Sequence, residues 1–275
     1  PYTTLFRSRH DFLMLNQDEK RGRLMTKIVI CGANGKMGHT VASCIAGRDD
    51  CTVVGGVDSY TEKYADFSIV ATPAELPEVP EVIIDFSNPS TLDELLEYAL
   101  VNNVALVLAT TGYDDAQIQK IQSAAQQIPV FFTFNMSLGI NLLVELAKKA
   151  ATILGGQFDI EIVEKHHNQK IDAPSGTAIM IANAINETLN NEYHYVYDRH
   201  ARRMKRDDKE IGMHSIRGGT IVGEHDVIFA GKDEVITLSH SAASKTVFAV
   251  GAVNAAVYLC GKPAGLYDMK QLVQE

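Results

Sequence analysis

Two patterns of apolar and polar positions divide the chain near residue 135. Before that point, short continuous apolar runs alternate with segments in which apolar residues recur at helical spacing. Continuous apolar strands that alternate with helices predict a parallel sheet covered by helices on both faces. The predicted strands are 27–31, 52–57, 82–86, 104–109 and 130–132, and the predicted helices are 39–46, 91–101 and a third that ends near Gln126.

After residue 135 the pattern becomes an alternation. Phe158, Ile160 and Ile162 fall on one side of a predicted strand, and Asp159 and Glu161 fall on the other. Such alternation predicts a sheet with one buried face and one face open to water or to a partner. Further predicted strands are 213–217, 220–229 and 234–239, and predicted helices are 139–153, 246–260 and one that follows 174–176. The segment 193–210 is polar and rich in both charges, and no strand is predicted there.

These patterns predict three segments beyond an atypical start. We expect a nucleotide-type α/β domain at 25–135, an inserted α+β domain at 136–245, and a return to the first domain at 246–275. Residues 1–24 have no strand period, and their apolar patch is too short for a secretory signal. The opening PYTTLFRS resembles the translated tail of a sequencing-library adapter, so we expect a read-through product with Met25 as the native start; a disordered extension is the alternative.

Composition narrows the class of protein. Among 275 residues, 46% are hydrophobic and 21% charged, values typical of a globular enzyme, and the net charge of −9 argues against a nucleic-acid binder. The basic run 199–206 has acidic neighbours, which favours a solvated loop over a nucleic-acid patch. No apolar run approaches the ~18 residues of a membrane span. The four cysteines lack ligand spacing, which predicts reduced thiols in a cytoplasmic protein and no metal site.

A glycine-rich turn follows the first predicted strand. The sequence Gly32-Ala33-Asn34-Gly35-Lys36-Met37-Gly38 opens a helix, whose free N–H groups could bind a pyrophosphate. Asp58 ends the second strand and could accept a hydrogen bond from a ribose 2′-OH. The context predicts a Rossmann-type doubly wound parallel sheet that binds NADH or NADPH; an ordinary strand–helix turn is the alternative. No Arg stands beside Asp58, which favours NADH, while Lys36 leaves NADPH open.

The densest chemistry lies in 164–177. His166, His167 and Lys170 bring two imidazoles and an ammonium to the end of a predicted strand. Histidine can donate a proton near neutral pH, and Lys170 could donate one or hold an anion. The turn 175–177 opens a helix whose N–H groups could bind a carboxylate. The segment therefore predicts a site for an anionic substrate that must be protonated; a solvated polar loop is the alternative.

The same segment, EKHHNQKIDAPSGTA, resembles the signature of the 4-hydroxy-tetrahydrodipicolinate reductase (dihydrodipicolinate reductase) family. The resemblance extends over about 25–269. The other matching motifs are GANGKMG (32–38), IDFSNP (84–89), ATTG (109–112), FNMSLGIN (134–141), YDRH (197–200), HSIRGGTIVGEHDVIFAG (214–231) and GLYDM (265–269).

The resemblance implies an activity and a role for each matching residue. The activity is the NAD(P)H-dependent reduction of 4-hydroxy-tetrahydrodipicolinate to tetrahydrodipicolinate in diaminopimelate and lysine biosynthesis, by a homotetramer assembled through the inserted domain's sheet. His166 matches the proton donor/acceptor and Lys170 a second proton donor. The positions matched to substrate are His167, Gly176 and Thr177; those matched to the dinucleotide are Gly32, Ala33, Asn34, Gly35, Lys36, Met37 and Asp58; those matched to the nicotinamide-side loops are Ala109, Thr110, Thr111, Thr133, Phe134, Asn135 and Met136.

Some features depart from the family pattern, and other classes stay open. Ala109 stands where many members have Gly, and Val250 stands where Asn is usual. The lack of an Arg beside Asp58 puts strict NADPH use in doubt. An aspartate-semialdehyde or homoserine-type dehydrogenase could share the Rossmann half. The former would need a nucleophilic Cys, and all four cysteines lie in the cofactor half or the last helix. A non-catalytic redox-sensing module would keep the glycine turn but would not need the His-His-x-x-Lys sequence.

Overall fold

The structure is a computed structural model that describes residues 25–133 and 135–274, without the side chain of Gln274. The expectations for residues 1–24 and for Phe134 lie outside the described residues. The chain forms two compact units. One holds the described residues through Val130 together with Ala256–Gly265, and the other holds Phe131–Ala255 together with the described residues from Leu266 onward. The predicted domain limits stay a prediction.

The strands and helices of the described residues follow in chain order. The strands are β1 (Thr26–Cys31), β2 (Cys51–Val57), β3 (Ile69–Val70), β4 (Val82–Asp85), β5 (Ala105–Leu108), β6 (Pro129–Phe132), β7 (Asp159–His166), β8 (His194–Val196), β9 (Glu210–Arg217), β10 (Gly223–Ala230), β11 (Val235–Ala242) and β12 (Gly265–Tyr267). The α-helices are α1 (Lys36–Ala46), α2 (Leu92–Asn102), α3 (Asp115–Ala124), α4 (Leu138–Leu154), α5 (Gly176–Thr188), α6 (Thr246–Leu259) and α7 (Met269–Gln274). Short 3₁₀ helices lie at Pro73–Glu75 and Pro89–Thr91.

The first sheet has the order β12-β6-β5-β4-β1-β2-β3 among the described strands. Strand β1 pairs in parallel with β2 and β4, and β4 pairs in parallel with β5. Every residue of β4 and β5 is buried, as continuous apolar strands inside a parallel sheet should be. The predicted Rossmann-type doubly wound α/β fold is confirmed. The order reverses at β1, so the loops after β1 and β4 meet at the edge where such folds bind ligands.

The second sheet has the order β11-β10-β7-β9-β8. Its central strand β7 runs antiparallel to β10 and parallel to β9. Buried and half-buried positions alternate along β7, which confirms the predicted alternation. The buried face packs on α4 and α5. This core includes Ile140, Leu143 and Ala147 of α4, Ile160 and Ile162 of β7, Ile181 and Ile185 of α5, and Val227 and Phe229 of β10.

Several boundaries differ from the predictions. The polar segment 193–210 contains a strand that was not predicted, His194–Val196, which forms β8 beside β9, and β9 begins at Glu210 rather than at residue 213. Strand β10 begins at Gly223 rather than at residue 220, and α1 begins at Lys36 rather than at 39. Strands β3 and β12 and helix α7 were not predicted, because runs of two to six residues show no measurable period. Within the described residues, no helix has the length and apolar character to cross a membrane.

Candidate active site

The glycine turn between β1 and α1 is built so that side chains would not fit. Gly32 has φ +75°, and a Cβ there would lie 2.7 Å from the carbonyl oxygen of Phe86. A Cβ on Gly38 would lie 2.2 Å from the carbonyl oxygen of Gly32. Both positions therefore require glycine, for conformation at the first and for close approach at both. The close backbone packing in this turn places the N-terminus of α1 at the edge of the sheet.

The surroundings of this turn suit a dinucleotide. Gly35 is the N-cap of α1 and has no side chain to occupy the first-turn N–H groups, which remain suited to a phosphate. The Asp58 carboxylate accepts hydrogen bonds from the backbone N–H of Asn34, at 2.9 Å, and of Tyr60, at 3.1 Å. Asp58 is thereby fixed beside the turn, where a ribose hydroxyl would lie. These residues could hold the pyrophosphate and ribose of NADH or NADPH.

The predicted nicotinamide-side residues Ala109, Thr110 and Thr111 directly follow β5 in the same unit. The N–H of Ala109 donates to the carbonyl oxygen of Asp85 at 2.9 Å, which ties this loop to the end of β4. Asp85 itself is buried and accepts a hydrogen bond from the Tyr113 hydroxyl at 3.1 Å. Burial raises the pKa of the Asp85 carboxyl. The loop is thus tied to the end of β4 at Asp85, a buried residue for which the sequence predicts no role.

A cavity of about 820 Å³ lies within the second unit. This volume is within the ~300–1,000 Å³ typical of small-molecule sites. Its lining contains all five predicted catalytic and substrate residues and one predicted nicotinamide-side residue: His166, His167, Lys170, Gly176, Thr177 and Thr133. Lys245 and Lys270, which were not predicted as site residues, also line it, as do the carboxylates of Glu145, Glu187 and Asp268.

Asn135 and Met136, the other described members of the predicted nicotinamide-side loop, also lie in this unit. Met136 is 4% exposed, and Asn135 is buried. The Asn135 amide nitrogen donates to the Thr177 hydroxyl at 2.9 Å, and its amide oxygen accepts from the N–H of Ser137 at 2.8 Å. Asn135 therefore joins the starts of α4 and α5 and orients a predicted substrate residue.

The imidazole of His166 faces a buried carboxylate. Because side chains on a strand alternate, Glu164 and His166 share the buried face of β7. The His166 Nδ1 lies 2.6 Å from Glu164 Oε2. Burial raises the pKa of Glu164, but hydrogen bonds from Arg217, Ser215 and His166 outweigh it and lower that pKa to about 2. Glu164 is therefore a carboxylate at neutral pH.

Arg217 balances the buried charge of Glu164. Its Nη1 and Nη2 donate to the two carboxylate oxygens at 2.8 and 2.7 Å, in the bidentate geometry typical of strong Arg–carboxylate pairs. Arg217 ends β9 directly opposite His166 in the parallel pairing. The sequence pattern predicts only that Arg217 ends a strand, because nothing local to it indicates a partner 53 positions away.

Helix α5 begins at Gly176, within the predicted turn 175–177, and Ser175 is its N-cap. The Ser175 hydroxyl accepts from the N–H of Ala178 at 3.1 Å, the standard N-cap bond. The N–H of Ser175 donates to Glu164 Oε1 at 3.1 Å. The N–H groups of Gly176 and Thr177 belong to the first turn, where the helix dipole favours an anion. The start of α5 and the His166 imidazole are thus held by one carboxylate.

A second histidine, His225, lies behind the site and is 3% exposed. Its ring meets the His166 ring edge-on, with centroids 5.3 Å apart, and its Nε2 lies 3.1 Å from the Ser175 hydroxyl. Burial and the nearby His166 lower the pKa of His225 to about 4. His225 is therefore neutral at neutral pH and supports the site without adding charge.

Lys170 reaches the cavity from the loop after β7. Its Nζ lies 2.9 Å from the carboxylate of Asp172, which is largely exposed. The hydrogen bond from Lys170 lowers the pKa of Asp172. The cavity thus presents an ammonium, an imidazole and a helix N-terminus, a set that can bind a carboxylate-bearing molecule and transfer a proton to it. Among the described residues, no group of His, Cys, Asp and Glu could hold a metal ion.

Comparisons with known proteins bear on both halves of the chain. Residues 26–136 match the model for "Dihydrodipicolinate reductase, N-terminus", and residues 139–273 match the model for "Dihydrodipicolinate reductase, C-terminus". The 4-hydroxy-tetrahydrodipicolinate reductase of Caldanaerobacter subterraneus subsp. tengcongensis is 49% identical over 252 residues, covering 92% of this chain and 100% of the relative. That of Clostridium novyi is 42% identical, covering 91% and 99%.

A solved structure shares the fold at low sequence identity. The dipicolinate-bound dihydrodipicolinate reductase from Paenisporosarcina sp. TG-14 aligns with a TM-score of 0.73 and 24% identity, covering 89% of this chain and 98% of that one. The family models and the close relatives extend over both compact units. The chain therefore belongs to the dihydrodipicolinate reductase family and is an NAD(P)H-dependent oxidoreductase.

Proposed function

We propose that this chain reduces 4-hydroxy-tetrahydrodipicolinate to tetrahydrodipicolinate, in diaminopimelate and lysine biosynthesis. The observation that carries the proposal is that His166, Lys170 and the start of α5 line one cavity. A cyclic dicarboxylate needs anion-binding groups and a proton donor close together, and this cavity supplies both. The names of the close relatives and the dipicolinate bound to the structural neighbour support a small dicarboxylate ligand.

Substrate binding is assigned to one wall of the cavity. The N–H groups of Gly176 and Thr177 and the Thr177 hydroxyl hold a substrate carboxylate, assisted by the dipole of α5. His167 and Lys170 contact the same ligand. The hydrogen bond from Asn135 fixes the Thr177 hydroxyl in this role.

Proton transfer is assigned to His166 and Lys170. When bound, the reduced nicotinamide would supply a hydride for C4 of the substrate ring, after the 4-hydroxyl and a neighbouring ring hydrogen have left as water. Negative charge then develops on the ring-nitrogen side of the substrate, and His166 donates the proton that completes reduction. Lys170 assists as a second donor. Proton transfer of this kind typically accelerates a reaction by ~10²–10⁴-fold.

Cofactor binding is assigned to the glycine turn 32–37, Asp58, 109–111 and 133–136. We expect NADH to be the better cofactor, because the Asp58 carboxylate would repel a 2′-phosphate, while Lys36 at the start of α1 keeps NADPH usable.

We further expect a cytoplasmic homotetramer assembled through the five-stranded sheet. In each chain, 25–135 is the dinucleotide-binding domain, 136–245 is the substrate and tetramer domain, and 246–275 returns to the first domain.

The decisive experiment supplies the unstable substrate in place. A dihydrodipicolinate synthase with pyruvate and aspartate semialdehyde generates it, and oxidation of NADH and NADPH is followed side by side with synthase-free controls. We expect rapid substrate-dependent oxidation, faster with NADH. No oxidation by a folded protein that still binds nucleotide would overturn the proposal and favour the redox-sensing module.

Variants test the assigned roles in the same assay. His166→Ala should lower kcat by ~10²–10⁴-fold, because it removes the proton donor. Thr177→Ala should raise KM more than it lowers kcat, because it weakens ground-state binding of the carboxylate. His200→Ala, at an exposed histidine, is the matched control and should keep wild-type rates. Near-normal turnover by His166→Ala would show that the assignment of His166 is wrong.

A further inference from the structure

We propose that Glu164 is a positioning residue: its buried carboxylate holds both the His166 imidazole and Ser175, the N-cap residue of α5, so that the proton donor and the anion site share one anchor. The inference rests on the proposed function. It goes beyond it because neither the motif nor the family resemblance gave Glu164 a role.

Every acceptor direction of the Glu164 carboxylate is used. Oε1 accepts from Arg217 Nη2 at 2.7 Å and from the N–H of Ser175 at 3.1 Å. Oε2 accepts from Arg217 Nη1 at 2.8 Å and lies 2.6 Å from His166 Nδ1. A carboxylate offers about four lone-pair directions, and these four contacts together with the hydrogen bond from Ser215 leave none of them free. Its position cannot change without loss of at least one of these contacts.

The charge of this carboxylate determines which imidazole nitrogen carries hydrogen. An ionised carboxylate can only accept hydrogen bonds, so the facing Nδ1 of His166 must be the N–H. That leaves Nε2 as the nitrogen that exchanges a proton with a ligand in the cavity. The bidentate Arg217 offsets the cost of burying Glu164, which is 1% exposed, and keeps it ionised.

The second contact couples His166 to the anion site. Ser175 is the N-cap of α5, and its own N–H points at Glu164 while its hydroxyl caps the helix. The first-turn N–H groups that would bind a substrate carboxylate follow directly. Loss of the carboxylate should therefore disturb both proton transfer and carboxylate binding. A residue that served stability alone would affect neither at temperatures where the protein is folded.

Strand β7 carries a matched control three residues earlier. Glu161 is a partly buried carboxylate with a histidine and two arginines as partners: His214 at 2.8 Å, Arg199 at 2.7 Å and Arg206 at 3.1 Å. The alternation of β7 puts Glu161 on the face opposite to Glu164 and the cavity. Glu161→Gln therefore removes a charge of similar surroundings without touching the cavity. Because Glu161 is paired with Ile228 on the face expected to assemble, the comparison uses Glu161→Gln protein that keeps the wild-type mass in light scattering.

The experiment compares Glu164→Gln with Glu161→Gln, with three readouts. Ring ¹⁵N NMR of histidine, assigned with His166→Asn, should show His166 protonated at Nδ1 in the wild type and in Glu161→Gln, and a changed tautomer in Glu164→Gln. The kcat should fall by ~10²–10⁴-fold in Glu164→Gln, the range seen when a histidine loses its orienting carboxylate. The Kd for dipicolinate, measured by calorimetry, should rise in Glu164→Gln only.

Arg217→Lys keeps the inference testable if Glu164→Gln does not fold. It keeps a positive charge but loses the bidentate contact, so we expect a smaller fall in kcat with the wild-type tautomer retained. An unprotonated Nδ1 in the wild type, or a folded Glu164→Gln with wild-type tautomer and kcat, would overturn the inference. A wild type without substrate-dependent oxidation would instead refute the proposed function, while the tautomer readout would still decide the role of Glu164.

Discussion

Gly223, the first residue of β10, gives the His166 imidazole its room. A Cβ at this position would lie 3.1 Å from His166 Nε2, closer than an ordinary contact. Gly223→Ala should therefore displace the ring and lower kcat by about 10-fold or more, since small misplacements of a reacting group are costly. Steady-state kinetics would show this with an almost unchanged Tm. Gly218→Ala is the control, because a Cβ there meets nothing within 4 Å; equal kinetics in the two variants would contradict the argument.

The Glu164 carboxylate also predicts an acid-sensitive part of stability. Its pKa in the folded protein is about 2, below the ordinary value of 4.5. A group whose pKa is lowered by folding stabilises the protein above its unfolded pKa, and this contribution is lost as the pH falls through the folded one. The difference in unfolding free energy between wild type and Glu164→Gln should have its largest value at pH 6 and should decrease as the pH falls from about 4.5 to 2. Urea unfolding at several pH values measures it, with exposed Glu97→Gln as control; a difference independent of pH would contradict the prediction.

At the scale of elements, the two N-cap serines of the second unit allow a direct comparison. Ser175 caps α5 and Ser137 caps α4, and both are 1% exposed. Replacing either with Ala should cost ~0.5–2 kcal/mol through the lost cap. Ser175→Ala should cost about 1–3 kcal/mol more, because it leaves the buried Nε2 of His225 without its partner. Urea unfolding free energies test this, and equal losses would show that the His225 contact stabilises little.

The elements differed in how well the sequence predicted them. The alternation of β7 predicted both its faces, because one face packs on helices and the other does not. The central parallel strands were predicted because they are continuous apolar runs. By contrast, β8 has three residues with one buried, so its place beside β9 comes from tertiary pairing rather than from a pattern. Helix α1 begins three residues before its predicted start, because the glycine turn continues directly into helical backbone.

For the whole molecule, the contacts that could not be predicted are those between residues far apart in the chain. His166, Lys170 and Thr177 lie within one short segment, so their spacing alone indicated a site. Arg217 reaches Glu164 from 53 positions away, through a strand register that no local pattern specifies. His225 reaches Ser175 from 50 positions away by the same means. The sequence therefore predicted the groups that could act on a ligand, while the groups that hold them in place needed the fold.

We predict that copies of the chain assemble through the open face of the five-stranded sheet, defined by Val163, Ile216 and Ile228. Ile216 is 46% exposed, and Val163 and Ile228 are half-buried. Packing such faces together would remove apolar surface from water, and a stable interface needs about 1,200 Å² or more in total. We expect light scattering to give about four times the chain mass of 30.1 kDa. Ile228→Asp should lower that mass, because an unpaired charge in the interface is costly, while Val101→Asp, at an exposed position of α2, should not. A monomeric wild type, or an Ile228→Asp protein that keeps the wild-type mass, would exclude this face from assembly.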